Sequence, residues 1–101
     1  MNSFYKEVYS LVKSIPKGCV TNYGTVALKA GRPRAARVVG TALAHCNEKG
    51  VPCHRVVQKD GSLPGTFGIG GRDYQRFLLR EEGITFLPDG KVDMKKHFYS
   101  F

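Results

Sequence analysis

Turn-forming residues interrupt this chain at short intervals: Pro16-Lys17-Gly18, Gly31-Arg32-Pro33, Asn47-Glu48-Lys49-Gly50, Asp60-Gly61, a glycine-rich stretch from Gly65 to Gly71, Gly83, and Pro88-Asp89-Gly90. Proline has no backbone N–H to donate and glycine readily takes a left-handed turn, so such punctuation keeps every element short. A fold built from these pieces must gather several short elements around a core. At 101 residues the expectation is one domain spanning 1–101. No internal repeat, low-complexity tract or polar linker divides the chain, and it is too short for a dinucleotide-binding Rossmann domain.

Between the breaks, apolar spacing predicts mainly helices with short strands. Phe4, Val8, Leu11, Val12 and Ile15 form one helical face, with Asn2 and Ser3 available as N-caps. A second, short helix starts at Thr21 or Asn22 and stops at Gly31, and a third runs from Pro33 to about Cys46. The tight Gly31-Arg32 turn between these two reads as a helix-turn-helix. Its second helix is expected to carry Arg34 and Arg37 beside the small residues Ala35, Ala36 and Gly40, which would let it lie close to a target. Arg55 to Gln58 reads as a strand. Asp73 to Glu82 reads as a helix with Tyr74, Phe77, Leu78 and Leu79 facing inward, and Ile84–Leu87 with Lys91–Met94 as a hairpin.

The net charge is +8, and seven of the basic residues precede Asn47, where only Glu7 opposes them. Concentrated on a helix-turn-helix, that charge points to nucleic acid ahead of an anionic membrane surface. The apolar runs are far shorter than the roughly 20 residues of a membrane span. Lys6 and Glu7 stand where a signal peptide needs an apolar core. The expectation is a soluble, cytoplasmic protein with no membrane partner, nucleoid-associated if the source is bacterial.

Three cysteines, Cys19, Cys46 and Cys53, are odd in number and irregular in spacing, which argues for reduced thiols. His45-Cys46 and Cys53-His54 offer zinc-type ligands, but adjacent pairs six residues apart do not match a Cys-x-x-Cys spacing, so no metal or other cofactor is expected. The glycine-rich stretch lacks the Gly-Lys-Ser/Thr ending of a phosphate-binding loop. Cys53 beside His54 suggests different chemistry: the thiolate is the nucleophile, and an imidazole or a bridging water can take its proton.

The string Pro52-Cys53-His54-Arg55-Val56 resembles the active-site motif of the O6-alkylguanine-DNA alkyltransferases. Other segments agree in order. Gly18 to Gly24 is similar to the family's segment that places a tyrosine at the DNA, here Tyr23, and Ala35 to Gly40 is similar to its arginine-finger helix, here with Arg37. Asn47 precedes the active-site loop, Gly70-Gly71 closes the lesion-side loop, and Glu82-Gly83 ends the following helix as the family's relay glutamate does. The resemblance covers roughly residues 4 to 87.

It implies the winged-helix-like fold of the alkyltransferase C-terminal domain. Arg37 would enter through the minor groove and fill the gap left by an extruded guanine, while Tyr23 assists the rotation. Cys53 would accept the alkyl group once, with His54, held by Glu82, removing the thiol proton through a water. The carbonyls of Val51 and Cys53, beside Pro52, would receive the guanine amino group, and N–H groups near Phe67 and Gly68 its O6. Arg55 reads as a tie from the active-site loop to neighbouring carbonyls. The implied partner is double-stranded DNA containing O6-alkylguanine, bound by a monomer.

The short frame and the stretch from Gly90 to Tyr99 also resemble the alkyltransferase-like proteins, which bind such DNA without repairing it and pass it to nucleotide excision repair. In those the cysteine position is typically tryptophan or alanine; here it is Cys53. With Cys53, His54, Asn47 and Glu82 all present, the sequence favours a single-turnover methyltransferase over a non-reactive lesion sensor. A plain helix-turn-helix regulator reading base edges is the other rival.

Overall fold

In a computed structural model of the chain, residues 3–64 and 71–101 are described. Asn2, Phe67, Gly68 and Gly70 lie outside them, so the first cap and most of the lesion-side loop are not part of the description.

Among the described residues five helices and one pair of short strands follow in the order α1 Ser3–Lys13, β1 Thr21–Asn22, α2 Tyr23–Lys29, α3 Ala36–Ala44, β2 Val56–Val57, α4 Gly71–Glu81 and α5 Met94–His97. A single 3₁₀ turn, Cys53–Arg55, precedes β2. The helical, strand-poor class expected from the spacing is the one observed. No helix among the described residues is long and apolar enough to cross a membrane.

α1 buries Phe4, Val8 and Val12 as its periodicity predicts, and Tyr9 beside them, while Leu11 is only half-buried. α2 is capped by Asn22, whose Oδ1 accepts the Thr25 N–H at 2.8 Å. It ends at Gly31, whose φ of +88° suits glycine.

α3 is shorter than expected at both ends. Ala35 donates its N–H to the Arg32 carbonyl at 2.9 Å, closing a turn over residues 32–35. The fixed φ of Pro33 serves that turn instead of opening a helix. Arg34 therefore sits in the turn and not on α3, and Ala35 is the N-cap position, without a side-chain cap.

β1 and β2 pair in parallel, Thr21 with Val56 and Asn22 with Val57. This ladder lies between two apolar clusters. Val56 joins the one formed by α1, α2 and α3. Val57 joins the other, with Val20, Leu63, Leu79, Ile84 and Val92. Adjacent strand residues point to opposite faces, so one dipeptide fastens both halves. The tail closes the second half: Val20 donates to the His97 carbonyl at 2.9 Å, and Tyr99 donates to the Val20 carbonyl at 2.7 Å. The expected hairpin is reduced to one antiparallel bridge, Phe86 to Val92.

Helix α4 is turned away from its expected phase. Tyr74 is 47% and Phe77 56% exposed, while Gln75 and Leu79 are fully buried. The stripe continues through the half-buried Leu78 and Glu82, and its polar members bond to the 3₁₀ turn and the strand after it.

Candidate functional site

Arg55 organises the site. Its Nε and Nη2 donate to the two carboxylate oxygens of Glu82 at 2.9 and 2.8 Å, and its Nη1 donates to the Ile15 carbonyl at 2.8 Å. One planar guanidinium thus joins the end of α1, the 3₁₀ turn and the end of α4, which bears out its reading as a structural tie. His54 Nε2 lies 2.8 Å from the same Glu82 oxygen. Burial pushes the Glu82 carboxyl up, but hydrogen bonds from Arg55 and then His54 outweigh it and hold the group below its ordinary value. An ionised carboxylate only accepts, so Nε2 donates to Glu82 and Nδ1 is the ring nitrogen left for a base's work.

The pairing of His54 with Glu82 expected from the family resemblance is therefore present. Gln75 is a contributor that sequence reading missed. Its Nε2 donates to the carbonyls of His54 at 3.0 Å and Val56 at 3.2 Å, bracing the turn from behind. The available signal was a glutamine four residues before Leu79 and seven before Glu82, on one helical stripe.

Cys53 opens the 3₁₀ turn, with its thiol 4.0 Å from the Leu43 carbonyl at the end of α3. Burial, then the neighbouring thiol of Cys46 through its charge and hydrogen bond, push the Cys53 thiol up to about 12. The resting group is consequently a thiol at neutral pH. Cys46→Ala is expected to move the pH profile of iodoacetamide labelling at Cys53 toward lower pH, read by peptide mass spectrometry. An unchanged profile would mean that burial alone sets the thiol. The Val51 carbonyl accepts the Cys53 N–H at 2.8 Å, and the Cys53 carbonyl accepts the Val56 N–H. Each keeps one lone pair for another donor.

Tyr23, first residue of α2, packs on Gly40 of α3, where an added Cβ would lie 3.9 Å from its ring. Gly40 is thus small toward Tyr23. Burial and then the charge of Cys53 raise the Tyr23 phenol to about 12, which keeps it a neutral donor beside the thiol. Tyr23, Ala36, Arg37 and Gly40 line a groove of about 660 Å³ together with Gln58 and Pro64. Arg37 is exposed and, among the described residues, enters no ion pair. Pro52 caps the 3₁₀ turn, and Gly71 opens α4 with φ +53°.

Asn47 is exposed and lines a cavity of about 580 Å³ with Lys6, Tyr9, Lys13 and His45. Among the described residues no group of three or more His, Cys, Asp or Glu side chains is arranged to hold a metal ion.

Residues 3–84 match the family described as 6-O-methylguanine DNA methyltransferase, DNA binding domain. A DNA base-flipping protein of Escherichia coli is 39% identical over 99% of this chain and 77% of its own length. A methylated-DNA–protein-cysteine methyltransferase of Salmonella typhimurium is 44% identical over 83% of this chain. The chain spans 48% of that protein and 32% of a longer bifunctional relative. Among solved structures, Schizosaccharomyces pombe Atl1 in complex with damaged DNA containing O6-carboxymethylguanine superposes with a TM-score of 0.86. That match has 33% identity and covers 100% of this chain and 98% of the other.

Proposed function

Because this chain belongs to the 6-O-methylguanine DNA methyltransferase family, we propose that it binds double-stranded DNA carrying O6-alkylguanine through the minor groove, everts the damaged base and takes its alkyl group onto Cys53 in a single turnover. The observation that carries the reading is a cysteine immediately followed by a histidine held at 2.8 Å by a partly buried glutamate. A base cannot be attacked inside the stack, so the protein needs a wedge, a pocket and phosphate contacts. Arg37, exposed at the start of α3, is the wedge, and Tyr23 flanks the gap it fills.

In the chemical step the Cys53 proton passes through a water to Nδ1 of His54, and Glu82 stabilises the imidazolium. The thiolate sulfur attacks the alkyl carbon, an S–C bond forms, and the C–O6 bond breaks with its electron pair leaving on guanine. The imidazolium proton neutralises the guanine anion. The thioether is stable, which ends the protein's activity after one transfer.

A second reading has its own support. A thiol raised to about 12 is a poor nucleophile at neutral pH. The near-complete overlap with Atl1 also favours a lesion sensor that recruits nucleotide excision repair. Peptide mass spectrometry after mixing the protein with duplex DNA containing O6-methylguanine separates the two. A methyl group on the Cys53 peptide supports transfer; lesion-selective binding without a mass change supports the sensor. Under either reading Arg37→Ala is expected to weaken lesion-DNA affinity by tenfold or more, measured by fluorescence anisotropy, and unchanged affinity would remove the wedge.

A further inference from the structure

A second, larger groove, of about 890 Å³, is lined by Lys59, Asp60, Arg72, Arg76, Asp89 and Lys91. Gln58 and Pro64 line both this groove and that of Arg37, so the two adjoin. Four cations face two carboxylates here, and the carboxylates are engaged. Asp60 accepts from Ser62 and lies 3.3 Å from the Lys91 ammonium, while Asp89 lies 4.0 Å from the same ammonium. Arg76 is fixed in place, donating to the Gly90 carbonyl at 3.3 Å with its guanidinium 5.2 Å from the Phe86 ring centre. Lys59 and Arg72 are exposed and enter no ion pair among the described residues. The groove therefore has a rigid, positively charged floor with two unpaired cations at its rim.

We propose that this groove is a second phosphate-binding surface, on which the DNA backbone beyond the everted base is held by Lys59 and Arg72. The inference rests on the DNA-binding reading above and extends the footprint past the helix-turn-helix. Two features select DNA as the occupant: the surplus of positive charge, and the two lining residues, Gln58 and Pro64, that this groove shares with that of Arg37. Phosphate contacts set register and affinity without reading the base, so this surface adds strength to binding at any sequence.

The test is a fluorescence-anisotropy titration of the whole chain against one labelled duplex, with and without O6-methylguanine, repeated across a range of salt concentrations. Removing one cation from a phosphate lowers the slope of log affinity against log salt by about 0.9. Lys59→Ala with Arg72→Ala is therefore expected to reduce the slope by about 1.8 on both duplexes and leave the lesion-over-undamaged ratio unchanged. Lys59→Arg with Arg72→Lys should restore it, since charge and not shape is counted. Lys95→Ala with Lys96→Ala removes equal charge from the exposed side of α5 and should keep the wild-type slope. An unchanged slope in the Lys59/Arg72 variant, or an equal loss in the α5 variant, overturns the groove while leaving DNA binding intact. Failure of the wild-type chain to bind either duplex overturns both readings.

Discussion

Glu82→Ala is expected to lower the free energy of unfolding by about 3 kcal/mol, a large share of what a domain of this size possesses. The side chains of Glu82 and Arg55 are only 13% and 16% exposed, and the carboxylate accepts two guanidinium bonds and one from the His54 ring. Its removal strands a largely buried guanidinium, whose desolvation is then uncompensated. Arg55→Ala is expected to cost a similar amount, and the double variant less than the sum, because each single change leaves one charge unpaired. Urea denaturation of the four proteins checks this, and additive losses would exclude the coupling.

The same pair sets acid stability. Glu82 titrates below its ordinary value of 4.5 when folded, so its contribution is complete above that value and is lost as the pH falls through the folded value. The wild-type protein should lose stability on acidification below about 4.5, and Glu82→Gln, which has no carboxylate to protonate, should show a flatter acid limb.

Cys53→Ala is expected to abolish alkyl transfer outright, with no methyl recovered on the protein, while lesion-DNA affinity stays within a few-fold of wild type. No other side chain of the 3₁₀ turn is a soft nucleophile, and the residues proposed to bind DNA, Tyr23 and Arg37, lie on α2 and α3. Residual methylation in this variant would place the acceptor elsewhere, with Cys46 the first alternative because it neighbours the Cys53 thiol. His54→Gln separates base chemistry from position: transfer should slow by about 10²–10⁴-fold, the usual worth of a positioned base. A rate within tenfold of wild type would deny His54 that role.

Local chemistry made much of this protein legible in its residues. The apolar face of α1, the Asn22 cap, Gly31 at the end of α2 and the basic bias of the first half all act over a few residues, where periodicity, capping and charge operate. The motif around Cys53 named the chemistry, and its glutamate partner came from family likeness, because nothing local links His54 to a residue 28 positions away.

Where local signals conflicted, tertiary contacts decided. Helix α4 carries two overlapping stripes, Tyr74-Phe77-Leu78 and Gln75-Leu78-Leu79-Glu82. By hydropathy the first is the better inner face. The second is buried because Gln75 and Glu82 are needed by the carbonyls and cations of the active-site turn. Pro33 suited either a turn or a helix start, and the hydrogen bond from Ala35 to Arg32 selected the turn.

By itself, then, the sequence determined the helical, strand-poor class and the basic helix-turn-helix, and singled out Cys53 as the proposed nucleophile, since each depends on residues close together in the chain. Only the tertiary structure decided which groups come together: Arg55 with Ile15 and Glu82, Cys46 with Cys53, and the cations Lys59 and Arg72 in one groove that shares Gln58 and Pro64 with the groove of Arg37. The physical reason is that burying a charge or a polar group requires partners, and the chain supplies them from wherever its packing brings them together.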